Sequence, residues 1–232
     1  DAAEAALRVG SGLVSLATRA QHVAPALATR PEMMVHAVEC AADLRPLLER
    51  ANVVAIGPGL GLDTWAGSLW GAVCDAGLPT VVDDDALRLL AVTPQRREDW
   101  VLTPHPGEAT LLLGSGAIEV NARRTDAAVQ LQQRYGGSVV LKGVGSVVAS
   151  AGSTPPAVCC DGNPGMASGG MGDALTGVIA GLLAQGMDLR DATETGVCLH
   201  AAAADAAAVA GGERGLLASD LVDELRRLVN PQ

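Results

Sequence analysis

Residues 162–186 read GNPGMASGGMGDALTGVIAGLLAQG. Five glycines, Gly162, Gly165, Gly169, Gly170 and Gly172, crowd the first half, and the second half is an apolar helix with Asp173 in its first turn. Glycines just before a helix let backbone N–H groups converge on an anion at the positive helix end, and a phosphate is the natural guest. The pattern is neither the Rossmann fingerprint nor the Walker loop: it lacks Gly-Lys-Ser/Thr and lies late in the chain. A carboxylate in that first turn is stabilised as the anion by the helix dipole and free N–H groups. Asp173 is therefore expected to be ionised at neutral pH and able to accept a proton or orient a hydroxyl. The residues alone leave a second reading open, in which Asp173 only caps the helix and the glycines only pack closely.

Upstream, short apolar runs alternate with helical stretches. Strands are predicted over 12–18 (GLVSLAT), 33–38, 53–57 (VVAIG), 80–83 (TVVD), 100–103 (WVLT) and 138–141 (SVVL). Helices are predicted over 43–50, 64–76, 86–91, 108–113 and 121–135, and residues 1–10 read as the second half of a helix ending at Gly10. Nearly continuous apolar strands fit a sheet covered on both faces. Repeated β-α-β units then imply an α/β fold: a central, mostly parallel sheet with helices on both faces. After Leu141 the rhythm changes. Residues 146–150 and 157–160 suggest a short antiparallel pair around a turn at 152–156, and helices follow the Gly-rich loop to the end. The alanine-rich stretch 201–210 reads as a tightly packed helix. No linker or repeat interrupts the chain, so one domain over 1–232 is expected.

Composition narrows the function. The 232 residues are 49% hydrophobic and 18% charged, with a net charge of −10. Such a chain is globular, and its charge argues against a nucleic-acid or anionic-membrane surface. No apolar run approaches the ~20 residues that span a bilayer. The five cysteines, Cys40, Cys74, Cys159, Cys160 and Cys198, show no C-x-x-C spacing, so a disulfide framework or zinc site is not expected and a reducing cytoplasm is the default. With no Phe and one Tyr, the core must be built from Ala, Val and Leu, whose small side chains allow close approach of helices and sheet. Lys142 is the one lysine against fifteen arginines.

Four further segments could carry chemistry. Ile56-Gly57-Pro58-Gly59-Leu60-Gly61 follows an apolar run, and ligands bind at strand ends in open α/β sheets; many strand-to-helix turns look the same. Thr103-Pro104-His105-Pro106-Gly107-Glu108 places one imidazole between two stiffening prolines, where it could donate to a ligand or satisfy a backbone carbonyl. In Lys142-Gly143-Val144-Gly145-Ser146 the sole ammonium suits phosphate contact as a point charge, unless it is an incidental turn residue. Asp83-Asp84-Asp85 at a strand end could recruit Mg²⁺ through water or cap the next helix, and Asp83 and Asp85 are the candidate metal ligands. His22, His36 and His200 show no partner pattern.

In order along the chain, GPGLG, VVDDDAL, LTPHPGEAT, VVLKGVGS, the long Gly-rich segment and the closing GERGLLASDL form a recognisable set. The chain resembles the ADP/ATP-dependent NAD(P)H-hydrate dehydratases, which have a ribokinase-like fold. The likeness runs from about Asp1 to the C-terminus. It implies repair of hydrated NADH or NADPH with ADP or ATP as phosphoryl donor and Mg²⁺ as cofactor. It implies a nucleotide site lined by Lys142, Gly143, Val144, Gly145, Ser146, Gly169, Gly170 and Gly172. Asp173 would be the base and contact the hydrate, together with Gly59, Gly61 and His105. It further implies a cytoplasmic homotetramer and an epimerase partner, fused or separate. The chain departs from the family pattern in Asp84, where Asp-Ala-Asp is usual, and in Ser146 and Ser168, where Thr is usual. The family's first strand and glycine-rich turn are absent from these residues. Two other functions fit the same features: a small-molecule kinase acting on a vitamin precursor such as hydroxyethylthiazole, or a non-catalytic nucleotide-binding protein.

Overall fold

The computed structural model describes residues 1–152 and 155–230. Helix α1 (Ala2–Arg8) leads into a small parallel pair, β1 (Ser15–Thr18) and β2 (Met34–Ala37), joined by α2 (Ala20–Thr29). Then follow α3 (Ala41–Leu48), β3 (Val54–Ile56), α4 (Thr64–Ala76), β4 (Thr80–Val82), α5 (Asp84–Val92), β5 (Trp100–Leu102), α6 (Pro106–Leu113), α7 (Ala117–Ala122), α8 (Arg124–Tyr135) and β6 (Ser138–Leu141). The chain ends with β7 (Ser146–Ser150), β8 (Ala157–Cys159), a 3₁₀ turn (Pro164–Met166), α9 (Met171–Ala184), α10 (Leu189–Gly211) and α11 (Ala218–Leu228).

The main sheet runs β3-β4-β5-β6-β7-β8. Its first three pairings are parallel and its last two antiparallel. Strands β4, β5 and β6 are buried along their whole length, as expected where helices cover both faces. Period-2 alternation divides the core. Val81, Val101, Val140 and Val148 pack with α1, α9, α10 and α11. Ile56, Val82, Leu102, Val139 and Leu141 pack against α3, α4, α5, α6 and α8 on the other side. The result is a helix–sheet–helix sandwich. Among the described residues no helix is long and apolar enough to cross a membrane.

Three sequence expectations change. The runs at 12–18 and 33–38 do form strands, but in a separate two-stranded sheet whose residues are half-buried or exposed. Polar Ser15, Thr18 and His36 suit strands with little cover. Helix α2 was not anticipated: it contains Pro25 and has no side-chain cap bond. The predicted helix 121–135 is two helices, because Arg123 leaves helical geometry (φ −132°, ψ 53°) between α7 and α8. The antiparallel pair β7–β8 forms as expected, although residues 153 and 154 of its predicted turn lie outside the described residues.

Small residues set the depth of packing. A Cβ on Gly177 of α9 would lie 2.0 Å from the Ala2 carbonyl oxygen, and one on Gly181 would lie 2.4 Å from Val9 Cγ2. Four residues apart, they share one face of α9, and that face receives α1. Four alanines of α10 are likewise used inside the chain: Ala201, Ala203, Ala204 and Ala207 are buried in the same core, whereas Ala202, Ala206 and Ala208 are half-buried and Ala210 is exposed.

Two glycine-to-alanine substitutions should act in opposite directions. Gly177→Ala overpacks the α1–α9 contact and should destabilise by about 1–3 kcal/mol. Gly67→Ala, exposed in α4 with open space around it, should stabilise by about 0.5–1 kcal/mol through helix propensity alone. Urea unfolding of the two variants checks both signs; a neutral Gly177→Ala would mean that α1 does not depend on close approach.

Candidate active site

The four parallel strands end at the same side of the sheet, with Ile56, Val82 and Leu102 in register. The segments singled out in the sequence follow those ends: Gly57 to Gly61 after β3, Asp83 to Asp85 after β4, His105 after β5 and Lys142 after β6. This is where open α/β sheets place ligands. The first turn of α9 reaches the same place.

Asp83 is the junction. It is 1% exposed, yet both carboxylate oxygens are satisfied. Lys142 Nζ donates to Oδ1 at 2.6 Å, and Thr176 Oγ1 on α9 donates to Oδ2 at 2.9 Å. A Cβ on Gly172 would lie 3.1 Å from Lys142 Nζ and 3.4 Å from Asp83 Oδ2, so the ammonium sits against the start of α9. The backbone of Asp83 approaches the β3 loop so closely that a Cβ on Gly57 would fall 1.7 Å from its carbonyl oxygen; only glycine fits there. Asp85 Oδ2 accepts from Gly61 N–H at 2.8 Å, and Asp84, the one described non-glycine residue with positive φ (41°), accepts from the backbone of Gly59. The acidic triplet thus joins three loops. Asp83 and Asp85, the candidate metal ligands, are used as hydrogen-bond acceptors within the protein. Among the described residues no group of three or more His, Cys, Asp or Glu side chains is arranged to hold a metal ion.

Helix α9 begins after Gly170, which takes a left-handed conformation (φ 85°). Its first N–H groups, at Met171, Gly172 and Asp173, have no partners within the helix and stand where the sequence placed an anion, with Gly169 exposed just before them. Asp173 is half-buried beside Asp83, Asp84 and Lys142. Burial, followed by repulsion from Asp83, raises its pKa above the ordinary carboxylate value. This runs opposite to the expectation from the helix dipole: desolvation outweighs it. The carboxylate is a stronger base for it.

His105 does not satisfy a backbone carbonyl: its ring accepts from backbone N–H groups instead. Its Nδ1 accepts from the backbone N–H groups of Gly107 (2.9 Å) and Glu108 (3.3 Å), so it is the N-cap of α6. Its half-exposed ring leaves Nε2 as the protonated nitrogen. Glu108 completes the box by accepting from His105 N–H at 2.7 Å. Burial raises the pKa of Glu108 while Lys142 opposes the shift, which places Glu108 within the field of the same ammonium.

Lys142 to Ser146 form the β6–β7 hairpin turn. Lys142 N–H donates to Pro104 O at 2.9 Å, which ties this turn to the His105 loop. Val144 is fully exposed at the tip, and Ser146 Oγ donates back to Gly143 O at 3.2 Å. Arg124 and Thr176 were missed in the sequence. Arg124 Nη2 donates to the carbonyls of Leu141 (3.0 Å), Lys142 (3.3 Å) and Gly145 (3.2 Å) and so holds the turn from the start of α8. The non-helical Arg123 that precedes it could have been inferred from nothing in the local pattern. Thr176 lies three residues after Asp173, on the same face of α9, and that spacing was a usable signal. His200 on α10, also set aside, is buried against Met171, and burial pushes its pKa down to about 4, so it stays neutral. A cavity of about 740 Å³ between α1, α9 and α11, lined in part by Arg8, Arg30, Leu182 and Leu228, contains none of these residues.

The architecture is that of a ribokinase-like α/β protein, with a glycine-rich helix start beside the half-buried carboxylate of Asp173. The NAD(P)H-hydrate dehydratase model matches residues 2–227, so the chain belongs to the NAD(P)H-hydrate dehydratase family. It is 56% identical over 230 residues to the bifunctional NAD(P)H-hydrate repair enzyme Nnr of Coxiella burnetii; that alignment covers 99% of this chain and 47% of the relative. The chain spans about half the length of the curated relatives it matches. Among solved structures, a ribokinase-like superfamily protein from Enterococcus faecalis superposes with a TM-score of 0.87 at 31% identity, covering 98% of this chain and 80% of that one. The ADP/ATP-dependent NAD(P)H-hydrate dehydratase of Bacillus subtilis, co-crystallized with ATP/Mg²⁺ and soaked with CoA, superposes with a TM-score of 0.83 at 28% identity, covering 98% and 84%.

Removing the Lys142 ammonium should be destabilising. Lys142→Met leaves the buried Asp83 carboxylate without its cation, a loss of about 3–5 kcal/mol. The double variant Asp83→Asn/Lys142→Met should recover part of it. Chemical denaturation of the single and double variants measures the difference; equal stabilities would show that the pair contributes no coupling.

Proposed function

We propose that the chain is an ADP- or ATP-dependent dehydratase of (S)-NAD(P)H hydrate and returns it to NAD(P)H. The observation that carries the reading is Asp173: a base raised by burial, in the first turn of α9, beside the Lys142–Asp83 pair. Asp173 takes the proton of the ring hydroxyl as that oxygen attacks the terminal phosphorus of the nucleotide. The O–H bond breaks, the O–P bond forms, and the bond from phosphorus to the bridging oxygen breaks, releasing AMP from ADP or ADP from ATP. The free N–H groups at 169–172 hold the developing charge, and Lys142, fixed by Asp83, adds a point charge. Phosphate is a far better leaving group than hydroxide. The ring nitrogen lone pair expels it, and loss of a proton from the neighbouring ring carbon restores the dihydropyridine.

Mg²⁺ usually binds through one or two carboxylates plus substrate phosphates. Asp84, whose charge repels Asp173, would offer one carboxylate beside the substrate phosphates, leaving Asp173 free as the base, and the ion would neutralise phosphate charge. Gly59, Gly61 and His105 lie on loops tied to the same centre and would border the hydrate. Gly143 to Ser146 would border the nucleotide. Cytoplasmic residence, an epimerase partner and a homotetramer belong to the same proposal. A vitamin-precursor kinase would instead release a stable phosphorylated product, and a non-catalytic binder would leave ADP unconsumed.

Recovery of NADH absorbance from hydrated NADH, with Mg²⁺ and either ADP or ATP, is the direct test; no recovery with either nucleotide would reject the dehydratase. Asp173→Asn should lower kcat by about 10²–10⁴-fold. The acid limb of the wild-type pH–rate profile should lie above the ordinary Asp range, because activity needs the ionised form and Asp173 has a raised pKa. The same shift predicts a stability change. A raised folded-state pKa means that ionising Asp173 costs stability, with no cost below the unfolded value and the full cost above the folded one. Asp173→Asn should therefore raise Tm at pH 7 and leave it unchanged near pH 3, as calorimetry at the two pH values would register.

A further inference from the structure

The Gly-rich loop between β8 and α9 is held by a side-chain clamp from α10. Asp205, half-buried on α10, uses both oxygens on it: Oδ2 accepts from Gly162 N–H at 2.9 Å, and Oδ1 accepts from Asn163 Nδ2 at 2.9 Å. Asn163 Oδ1 in turn accepts from Gly165 N–H at 3.0 Å and caps the 3₁₀ turn Pro164–Met166. Beyond that turn, Ser168 Oγ donates to Leu216 O at 3.0 Å, just before α11. The anion-binding N–H groups at 169–172 come next. A loop with this much glycine has large conformational freedom to lose, so its geometry depends on what pins it at both ends.

We propose that Asp205 is a positioning residue for catalysis: with Asn163 it sets the loop whose far end presents the anion-binding N–H groups. This rests on the dehydratase reading for what the loop binds, but not for what holds the loop. The donor and acceptor pattern makes the claim specific. Asp205→Asn alone turns the Asp205 Oδ1–Asn163 Nδ2 contact into two opposed donors, or removes the acceptor from Gly162. Asn163→Asp alone sets two carboxylates against each other. The two substitutions together restore every bond in mirror image: the carboxylate at 163 accepts from Gly165 and from the carboxamide at 205, whose oxygen accepts from Gly162.

The test uses the full chain and these three variants. Amide hydrogen exchange of the segment 162–170, without ligand, should be faster in each single variant and return to the wild-type rate in the double variant. Turnover of hydrated NADH should follow the same order, with kcat reduced about tenfold in each single variant, the scale expected when a charge-assisted hydrogen bond is lost, and restored in the double. Single variants that exchange like the wild type, or a folded double variant no better than the singles, would overturn the clamp. If the wild-type chain fails to turn over hydrate while exchange shows loss and rescue, the dehydratase reading falls and the clamp stands.

Discussion

One buried carboxylate organises this molecule. Asp83 has left water almost completely, and a charge so placed is tolerable only when paired and hydrogen-bonded. Its partners come from opposite ends of the architecture: Lys142 from the β6–β7 turn and Thr176 from the interior of α9. Satisfying Asp83 therefore brings the last helices against the carboxyl ends of the parallel strands. It also draws the ammonium to the helix start, beside Gly172. The neighbouring Asp84 and Asp85 extend the constraint to the β3 loop through Gly59 and Gly61. The site is thus a by-product of solving one burial problem.

The ordering of elements was legible because it rests on period and composition. Strands β4, β5 and β6 are continuous apolar runs in the sequence and fully buried in the fold. The small pair β1–β2 was legible as strands but not as a separate sheet, since pairing is a long-range property that a local pattern does not carry. Asp173, Lys142 and the glycines were visible as residue types in suggestive places. What those side chains touch was not. The role of His105 as an acceptor depends on which way its ring turns, and Arg124 depends on a break at Arg123 that no capping residue announces. The triplet 83–85 offered metal binding and capping equally, and only geometry distributes its oxygens among an ammonium, a hydroxyl and backbone N–H groups.

Asp173 shows how the two demands on the site conflict. The helix start favours an anion, yet burial and the charge of Asp83 disfavour it. A carboxylate left alone there would be a poor contributor to stability and a useful base for that reason. Asp83 escapes the conflict because it has a cation of its own. Two carboxylates of one cluster thus differ: Asp83 is paired and hydrogen-bonded, whereas for Asp173 burial outweighs the opposing charges of the N-terminal ammonium and Lys142.

The scarcity of lysine has a practical side. Because Lys142 is the only side-chain amine in 232 residues, the chain carries a built-in reporter at its centre. Isotopic labelling of lysine would yield one ammonium resonance, free of overlap, whose shift follows the Asp83 contact directly. Reagents that acylate amines would likewise have a single side-chain target, and any change in its accessibility would be read at one peptide.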